Sequence, residues 1–323
     1  MKTDGQFVTE LRSHVGRIVV GQADVVERML IALLTGGHLL LQGVPGLAKT
    51  LLVNALARAL DLGFRRVQFT IDMLPADILG SEILDQRTNT FVTHQGPVFT
   101  NLLLADEINR AAPKVQSALL EAMQERKVTI GKVTYPLPAP FLVIATQNPV
   151  EQSGTFELPE AQLDRFMLCH RLDYPSREQE TGIVQQQLAL GLKHEDGSAI
   201  PRTAFDLLDE LQPCAHGADV AEAMGRVQEV YVSDVFIHHA LELVRLTRDD
   251  RRVDLGASPR AGLALVQGAR ARAYIHGRDY VLPDDLYALA EDVLLHRMRL
   301  TYEALAEGQT GAVVLRELLA KCM

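Results

Sequence analysis

A glycine-rich turn between a short apolar run and a helical pattern constrains the fold of this 323-residue chain more than any other feature. The turn reads GVPGLAKT (43–50) and follows the apolar run HLLLQG (38–43). Beyond it, apolar residues as far as Ala59 recur at the spacing of one helix face. Such a turn points backbone N–H groups and the positive end of a helix dipole at one place, which suits an anion. The sequence therefore predicts a strand–loop–helix unit that binds phosphate.

The turn matches most of the P-loop pattern G-x-x-x-x-G-K-[ST]. Ala48 stands where the last glycine is expected; because alanine tolerates helical backbone angles, we expect only the closest backbone approach to change. Lys49 is predicted to meet the β- and γ-phosphates of ATP, and the Thr50 hydroxyl to ligand Mg²⁺. A tight turn with a surface lysine is the alternative. The residues predicted to hold the nucleotide are Gly43, Val44, Pro45, Gly46, Leu47, Ala48, Lys49, Thr50 and Leu51.

Two acids follow a second apolar run, LLLADE (102–107). An acid at the carboxyl end of a buried parallel strand lies where α/β sheets bind their ligands. Asp106 is predicted to hold Mg²⁺, mostly through water, because this ion keeps several waters. Glu107 is predicted to activate the attacking water as a general base. A lone acid at a strand end is usually only solvated, but two after four apolar residues favour the functional interpretation.

Asn148 and Arg260 are further candidates. Asn148 ends the apolar run in ATQNP (145–149), where a neutral amide can position the water or the γ-phosphate; an Asn turn before proline is the alternative. Arg260 opens a helix in SPR (258–260) and is predicted to reach the phosphates. An ordinary first-turn arginine is the alternative, although the helix dipole disfavours a cation there.

Arg165 precedes a fifth apolar run, in LPEAQLDRF (158–166). An arginine that reaches a neighbouring subunit's γ-phosphate would stabilise the charge of the transition state. A surface salt bridge with Asp164 or Glu160 is an equally good interpretation of the sequence.

Apolar runs that alternate with helical patterns predict an α/β fold with a parallel sheet over residues 17–175. Two stretches, 81–99 and 127–138, alternate like hairpins inserted into this core. A polar stretch at 193–202 suggests a boundary, and helical periodicity follows it. We therefore predict an α/β nucleotide-binding domain at 1–200 and a small helical lid domain at 201–323. The five runs predicted as strands are 38–43, 65–70, 101–107, 141–148 and 165–173.

Composition narrows the function classes. A net charge of −9 argues against nucleic acid or an anionic membrane as a partner for the whole surface. The three cysteines form no CxxC pair, which fits a reducing, cytoplasmic location. The most apolar stretch, 29–44, is interrupted at 35–38, so no membrane span is expected.

Taken in order along the chain, these motifs resemble the MoxR family of AAA+ ATPases. The resemblance covers roughly residues 17–305, and Ala48 is itself what the P-loops of this family show. The segments that carry it are GVPGLAKT (43–50), DMLPADILG (72–80), LLADEINRA (103–111), LLEAMQER (119–126), ATQNPVEQSGTFELPEAQLDRF (145–166) and SPR (258–260).

The resemblance implies Walker A at 43–50, Walker B at 102–107, sensor 1 at Asn148, an arginine finger at Arg165 and sensor 2 at Arg260. It also implies a five-stranded parallel sheet in the order 5-1-4-3-2, which places the sensor strand between the two Walker strands. The two hairpins then correspond to the helix-2 insert, which faces the ring pore, and the pre-sensor insert.

The same resemblance implies a homo-oligomer, usually a hexameric ring, with ATP between subunits and the finger supplied by the neighbour. Sensor 2 can also act on the neighbouring subunit, and Arg110 is a weaker candidate for the interface. Such proteins resemble chaperones that assemble or activate a protein client, often with a separate von Willebrand factor A domain protein. A motor on nucleic acid and a nucleotide switch with little turnover are the alternatives; Glu107, Asn148 and Arg165 disfavour the switch.

Overall fold

The computed structural model describes residues 6–44, 46–149, 154–195 and 198–322, which form an α/β part followed by a helical part. Short 3-10 helices lie at Ile108–Arg110, Ala204–Leu208 and Leu295–Arg297. The strands are β1 (Leu39–Gln42), β2 (Phe64–Gln68), β3 (Gly80–Asp85), β4 (Thr90–Gln95), β5 (Leu102–Asp106), β6 (Lys127–Ile130), β7 (Val133–Pro136), β8 (Leu142–Gln147), β9 (Leu168–Arg171), β10 (Leu192–Glu195), β11 (Ser198–Pro201), β12 (Val253–Leu255) and β13 (Arg299–Leu300). The helices are α1 (Gln6–Gly16), α2 (Ala23–Thr35), α3 (Lys49–Ala59), α4 (Pro75–Leu79), α5 (Pro113–Glu125), α6 (Glu160–Leu163), α7 (Arg177–Ala189), α8 (Gly217–Glu229), α9 (Asp234–Asp249), α10 (Pro259–Ile275), α11 (Pro283–Leu294), α12 (Tyr302–Ala306) and α13 (Gly311–Cys322).

The central sheet has five parallel strands in the order β2-β5-β8-β1-β9, which confirms the predicted order 5-1-4-3-2. Its three inner strands are almost fully buried, because apolar residues cover both faces of a parallel sheet. The fifth strand begins at Leu168, three residues later than the predicted start at Arg165, because 164–167 forms a turn after α6. All five carboxyl ends meet at one edge, and the P-loop, Asp106 and Asn148 lie there.

Both predicted hairpins are present. β3 pairs with β4 and β6 pairs with β7, each antiparallel. Gly131 makes the turn of the second hairpin with a φ of +60°, which glycine adopts without a side-chain clash. A third hairpin, β10–β11, occupies much of the polar stretch at 193–202 that suggested a boundary. We keep residue 200, near the end of this hairpin, as the proposed division between the two domains.

The helical part packs against the sheet domain through α2. α10 lies on α2, and α11 lies beside the edge strand β9. One apolar core continues from α2 into α10 and α11, so the two parts share a buried boundary. An ion pair between Arg28 Nε of α2 and Asp292 Oδ2 of α11, 2.6 Å long, joins them as well. Ser233 caps α9, and Pro283 begins α11.

Candidate nucleotide-binding site

A cavity of about 350 Å³ lies at the carboxyl edge of the sheet. It brings together most residues that the sequence predicts for nucleotide and metal. Gly43 and Val44 lie at the start of the same loop, and Pro45 falls outside the described residues. The predicted residues that line the cavity are Gly46, Leu47, Ala48, Lys49, Thr50, Leu51, Asp106, Glu107 and Asn148.

Lys49 begins α3 and points back across the loop. Its Nζ donates to the carbonyl oxygen of Gly43 at 2.9 Å, so the ammonium group lies over the P-loop. Burial lowers the pKa of Lys49, while the nearby carboxylates of Asp106 and Glu107 act in the opposite direction. The lysine therefore shares one cavity with both acids, as binding of a phosphate with its metal ion requires.

Ala48 has a left-handed backbone, with φ +52° and ψ 26°. The expectation that it would take helical angles is wrong: the chain must reverse its direction immediately before α3, and the left-handed region gives that reversal. For a residue with a Cβ atom this conformation costs about 1–2 kcal/mol. Strained backbone of this kind is concentrated at functional sites, and Glu107, with a φ of +56°, is a second example in the same cavity.

We expect Ala48→Gly to raise the free energy of unfolding by about 0.5–1 kcal/mol, because relief of the strain exceeds the entropy that glycine adds to the unfolded chain. Calorimetry without nucleotide measures the change. The matched control is Gly46→Ala: Gly46 has a φ of +89° and no atoms within 4 Å of an added Cβ, so it should lose about 1 kcal/mol from backbone strain alone. A loss of stability in Ala48→Gly contradicts this account.

Thr146 joins the two acids. It is almost fully buried at the end of β8, and its Oγ1 donates to Asp106 Oδ1 at 2.6 Å. The same oxygen accepts the backbone N–H of Glu107 at 2.8 Å. One hydroxyl therefore fixes the carboxylate of Asp106 and the strained backbone of Glu107. Our sequence analysis did not single out Thr146, although it lies two residues before Asn148 in the motif ATQNP.

Two side chains of β2 complete the surroundings of the acids. Arg66 donates from Nη2 and Nε to Asp106 Oδ2, at 2.7 and 3.1 Å. Gln68 Nε2 donates to Glu107 Oε2 at 2.7 Å. Arg66 is partly exposed, and it reaches Asp106 because β2 lies beside β5 in the sheet. The register pairs Arg66 with Leu104 and Gln68 with Asp106, so these two side chains share the face of the acids.

The donor set fits Mg²⁺. Thr50 offers a hydroxyl oxygen and Asp106 a carboxylate in one cavity, and this ion prefers one or two protein oxygens together with phosphate and water. Within the described residues, no three His, Cys, Asp or Glu side chains are grouped so that they could hold a metal alone. A site of this type therefore needs the nucleotide to complete the coordination.

A second cavity, of about 160 Å³, lies on the other side of the P-loop. It shares Gly46, Leu47, Ala48 and Leu51 with the first cavity. Its remaining lining is mostly apolar and comes from 18–20, at the start of the α/β part, and from α7, including Ile183. A polar cavity and an apolar cavity thus meet at one glycine-rich loop, which matches a ligand with a phosphate chain and a flat base.

Arg165 and Arg260 lie elsewhere. Both line a cavity of about 450 Å³ that also contains Gly36 and Gly37, just before β1. Arg165 precedes β9, which runs parallel to β1 in the register Leu39↔Leu168. This cavity is therefore at the amino edge of the sheet, whereas the P-loop follows the carboxyl end of β1. The structure brings the two arginines together but does not bring them to the nucleotide cavity of the same chain.

The predicted alternative for Arg165, a salt bridge with Asp164 or Glu160, is not formed. Asp164 Oδ1 accepts the Ser258 hydroxyl at 2.8 Å and lies 3.1 Å from Arg297 Nε, both in the helical part. Glu160 pairs with Arg299. Among the described residues, no carboxylate lies within ion-pair distance of Arg165. Its guanidinium is thus available to a ligand outside this chain.

Arg297 is the buried member of this group. It donates to the carbonyl oxygen of Phe166 at 2.7 Å, and burial lowers its pKa to about 10. Arg260 Nη1 lies 3.8 Å from Asp164 Oδ2, at the exposed end of the cluster. The carboxylate that immediately precedes Arg165 is therefore surrounded by three side chains of the helical part.

These features define a P-loop ATPase of the AAA class: a P-loop between a strand and a helix, an acidic pair at the end of another strand of the same sheet, and a helical lid. In agreement, residues 38–168 match the family model described as ATPase family associated with various cellular activities (AAA), and residues 245–318 match the AAA lid domain. A solved structure, described as a putative ATPase from Cytophaga hutchinsonii, superposes with a TM-score of 0.86 at 44% identity. The match covers 98% of this chain and 94% of that one.

Two curated relatives narrow the class. The chain is 46% identical to "Chaperone MoxR1" of Mycobacterium tuberculosis, over 95% of its own length and 79% of that protein. It is 43% identical to "Uncharacterized protein YeaC" of Bacillus subtilis, over 95% and 91% of the two lengths. The chain belongs to the MoxR family of AAA+ ATPases, as the motifs of its sequence predict. No helix among its described residues combines the length and apolar character that crossing a bilayer demands.

Proposed function

We propose that this protein hydrolyses ATP at sites shared between neighbouring copies in a ring. At each site, Arg165 and Arg260 of the next copy contact the phosphates of ATP. The cycle of hydrolysis remodels or activates a protein client. The observation that carries the proposal is the placement of the P-loop and the two arginines at opposite edges of one sheet. With strands of four residues and a rise of 3.3 Å per residue, the edges are about 13 Å apart. Packed sheet fills the space between them, so an arginine finger here serves the neighbour.

Such an interface joins two different surfaces, which closes into a ring when the rotation between copies allows it. A ring of six is the form we propose, in keeping with the family. Arg165 and Arg260 supply positive charge on one surface. Asp106 and Glu107, with the phosphates of ATP, supply negative charge on the other. The opposite charges fix which edge of one copy meets which edge of the next.

Within each site the roles follow from position. Lys49 and the N–H groups of the P-loop bind the phosphates, and the apolar cavity beside Ile183 holds the base. Mg²⁺, held by Thr50 and Asp106, would neutralise charge on the phosphate oxygens. Glu107 accepts the proton of the attacking water, and Asn148 orients that water or the γ-phosphate. Arg165 then stabilises the charge that develops on the transferred group.

The first hairpin supports a protein client. β3 and β4 expose Ile83, Leu84, Phe91 and Val92, with Phe91 at 69% of its full exposure. Ile83 lies opposite Val92 and Leu84 opposite Phe91, so each face of the hairpin exposes one apolar pair, and exposed apolar side chains grouped in this way mark surfaces that bind other proteins. The similarity to a relative named as a chaperone points the same way. A separate von Willebrand factor A domain protein is proposed as the adaptor, on the family resemblance.

A motor on nucleic acid is the second candidate, and the structure weakens it. In the basic pair Arg251-Arg252, Arg252 forms ion pairs with Asp250 and Glu317. This guanidinium group is therefore not free to contact phosphates along a nucleic acid backbone, and the net charge of −9 disfavours binding further.

Dilution tests the shared site. We expect ATP turnover per subunit to rise with protein concentration and then level off, because a single copy has no finger in its own site. ATPase assays across the dilution series, paired with sedimentation velocity at the same concentrations, measure activity and assembly together. Full turnover per subunit at concentrations where only monomer sediments would contradict the proposal. Salt-dependent DNA binding, if observed, would favour the nucleic acid motor.

A further inference from the structure

The contact between Arg66 and Asp106 occupies the carboxylate that we assign to the metal ion. Arg66 directs two donors at Oδ2 of Asp106, and Thr146 uses Oδ1. Both oxygens of this carboxylate are therefore engaged by protein donors. The side chain of Asp106 is only 16% exposed, whereas that of Arg66 is 46% exposed. Of its two partners, Arg66 is the one with room to move.

Arg66 is also held from a second direction. Its Nη2 donates to Gln68 Oε1 at 2.6 Å, and the Nε2 of the same amide donates to Glu107. Because the amide oxygen accepts from Arg66, its nitrogen must face Glu107. One chain of hydrogen bonds thus runs from Asp106 through two side chains of β2 to Glu107, and it fixes both acids from the adjacent strand.

Two donors of Arg66 already use the lone pairs of Asp106 Oδ2, so a divalent cation that binds this oxygen must displace the guanidinium, whose charge also repels it. Arg66 lines the cavity with the P-loop, so a polyphosphate entering there offers it a new anion. We propose that Arg66 is a positioning residue that holds Asp106 until a metal–nucleotide complex arrives, and then exchanges the carboxylate for phosphate oxygens. This inference rests on the proposed ATP site.

The exchange has a consequence for metal binding. Without nucleotide, a divalent cation must displace Arg66 while offering it no other anion, so a metal ion alone binds poorly. With nucleotide present, Arg66 binds the phosphates instead of Asp106, and the carboxylate of Asp106 becomes free to bind the metal ion. Metal and nucleotide therefore bind together rather than one after the other, with Arg66 as the side chain that couples them.

Titration with Mn²⁺ tests this exchange. We expect Arg66→Ala to bind Mn²⁺ about tenfold more tightly than the wild type in the absence of nucleotide, the change that one lost charge-assisted contact gives. Electron paramagnetic resonance of free Mn²⁺ measures the affinity. Arg65→Ala is the matched control, since Arg65 is exposed and points to the other face of β2. It should leave the affinity unchanged.

A gain of affinity for Mn²⁺ is diagnostic, because a variant whose fold was merely damaged would bind Mn²⁺ more weakly. The double variant Arg66→Ala/Asp106→Asn should lose the gain, which assigns it to this carboxylate. Equal Mn²⁺ affinity in wild type and Arg66→Ala, or a gain that survives Asp106→Asn, would overturn the inference. Binding of a fluorescent ADP analogue to the wild type is measured separately: failure there overturns the proposed ATP site, while the comparison of Mn²⁺ affinities remains readable.

Discussion

Replacing Arg165 with alanine is expected to lower the turnover number for ATP by about 10³- to 10⁵-fold, the contribution of an arginine finger to phosphoryl transfer. The reason is that the guanidinium lies at the amino edge of the sheet, where, in the proposed ring, it would meet the γ-phosphate bound by a neighbouring copy. Because Arg165 does not contact the nucleotide of its own chain, ATP affinity should stay within about threefold, the size of an exposed charge effect. Steady-state ATPase assays and titration with a fluorescent nucleotide measure the two quantities.

Arg126→Ala is the matched control. Arg126 lines the same cavity, but its Nη2 donates to the carbonyl oxygen of Gly36 at 2.7 Å and serves the fold. It should keep turnover within about twofold, as expected of a surface contact away from the chemistry. Normal turnover in Arg165→Ala would show that the finger assignment is wrong.

Mixed oligomers separate action within a chain from action between chains. Subunits with Arg165→Ala keep the P-loop, and subunits with Lys49→Ala keep the finger. In a random equal mixture, roughly a quarter of the interfaces join an intact P-loop to an intact finger, since the interface is head-to-tail. Activity should recover toward that fraction of the wild-type value. No recovery in confirmed mixed rings would show that both groups must belong to one chain.

Glu107→Gln is expected to lower turnover by about 10²- to 10⁴-fold, the usual contribution of a general base, while ATP stays bound. The amide lacks the basic oxygen, but the backbone N–H of Glu107 still bonds Thr146, so the strained turn persists. Nucleotide extracted from the purified variant should be mainly ATP, as measured by chromatography. Glu125→Gln, at the exposed end of α5, is the control and should turn over normally.

The trapped variant also tests the client surface. A ring held with ATP should retain its client, and Phe91→Ser added to Glu107→Gln should release it, because the exposed phenyl ring is part of the proposed contact. Nucleotide content should not change. If the ring retained its client equally well without Phe91, the first hairpin would not be the surface that binds the client.

The residues within continuous motifs could be predicted from the sequence. Asp106 and Glu107 directly follow an apolar run, and Lys49 and Thr50 end the glycine-rich turn that follows another, so their place at the carboxyl edge follows from local pattern alone. The strand order did not follow from local pattern. It came from the resemblance to a family, because β1 is flanked in space by strands more than a hundred residues away.

What escaped prediction depends on pairing across space. The contacts of Arg66 depend on β2 lying beside β5, which the local pattern does not reveal, and Thr146 lies in a motif in which only Asn148 was singled out. The partner of Asp164 proved to be Arg297, in the helical part, instead of the adjacent Arg165. The left-handed backbone of Ala48 is a different case. The residue type does not predict this conformation, because the path of the loop imposes it.

In the proposed ring, the contacts of the helical part with Asp164 would link two neighbouring subunits. Ser258 at the start of α10 and the buried Arg297 both hold this carboxylate, and the next residue is the finger. A tilt of the lid in one subunit would then carry Arg165 with it and shift the catalytic charge in the neighbouring site. Nucleotide state in one subunit would thus be transmitted in a single direction around the circle, which favours sequential firing over simultaneous firing.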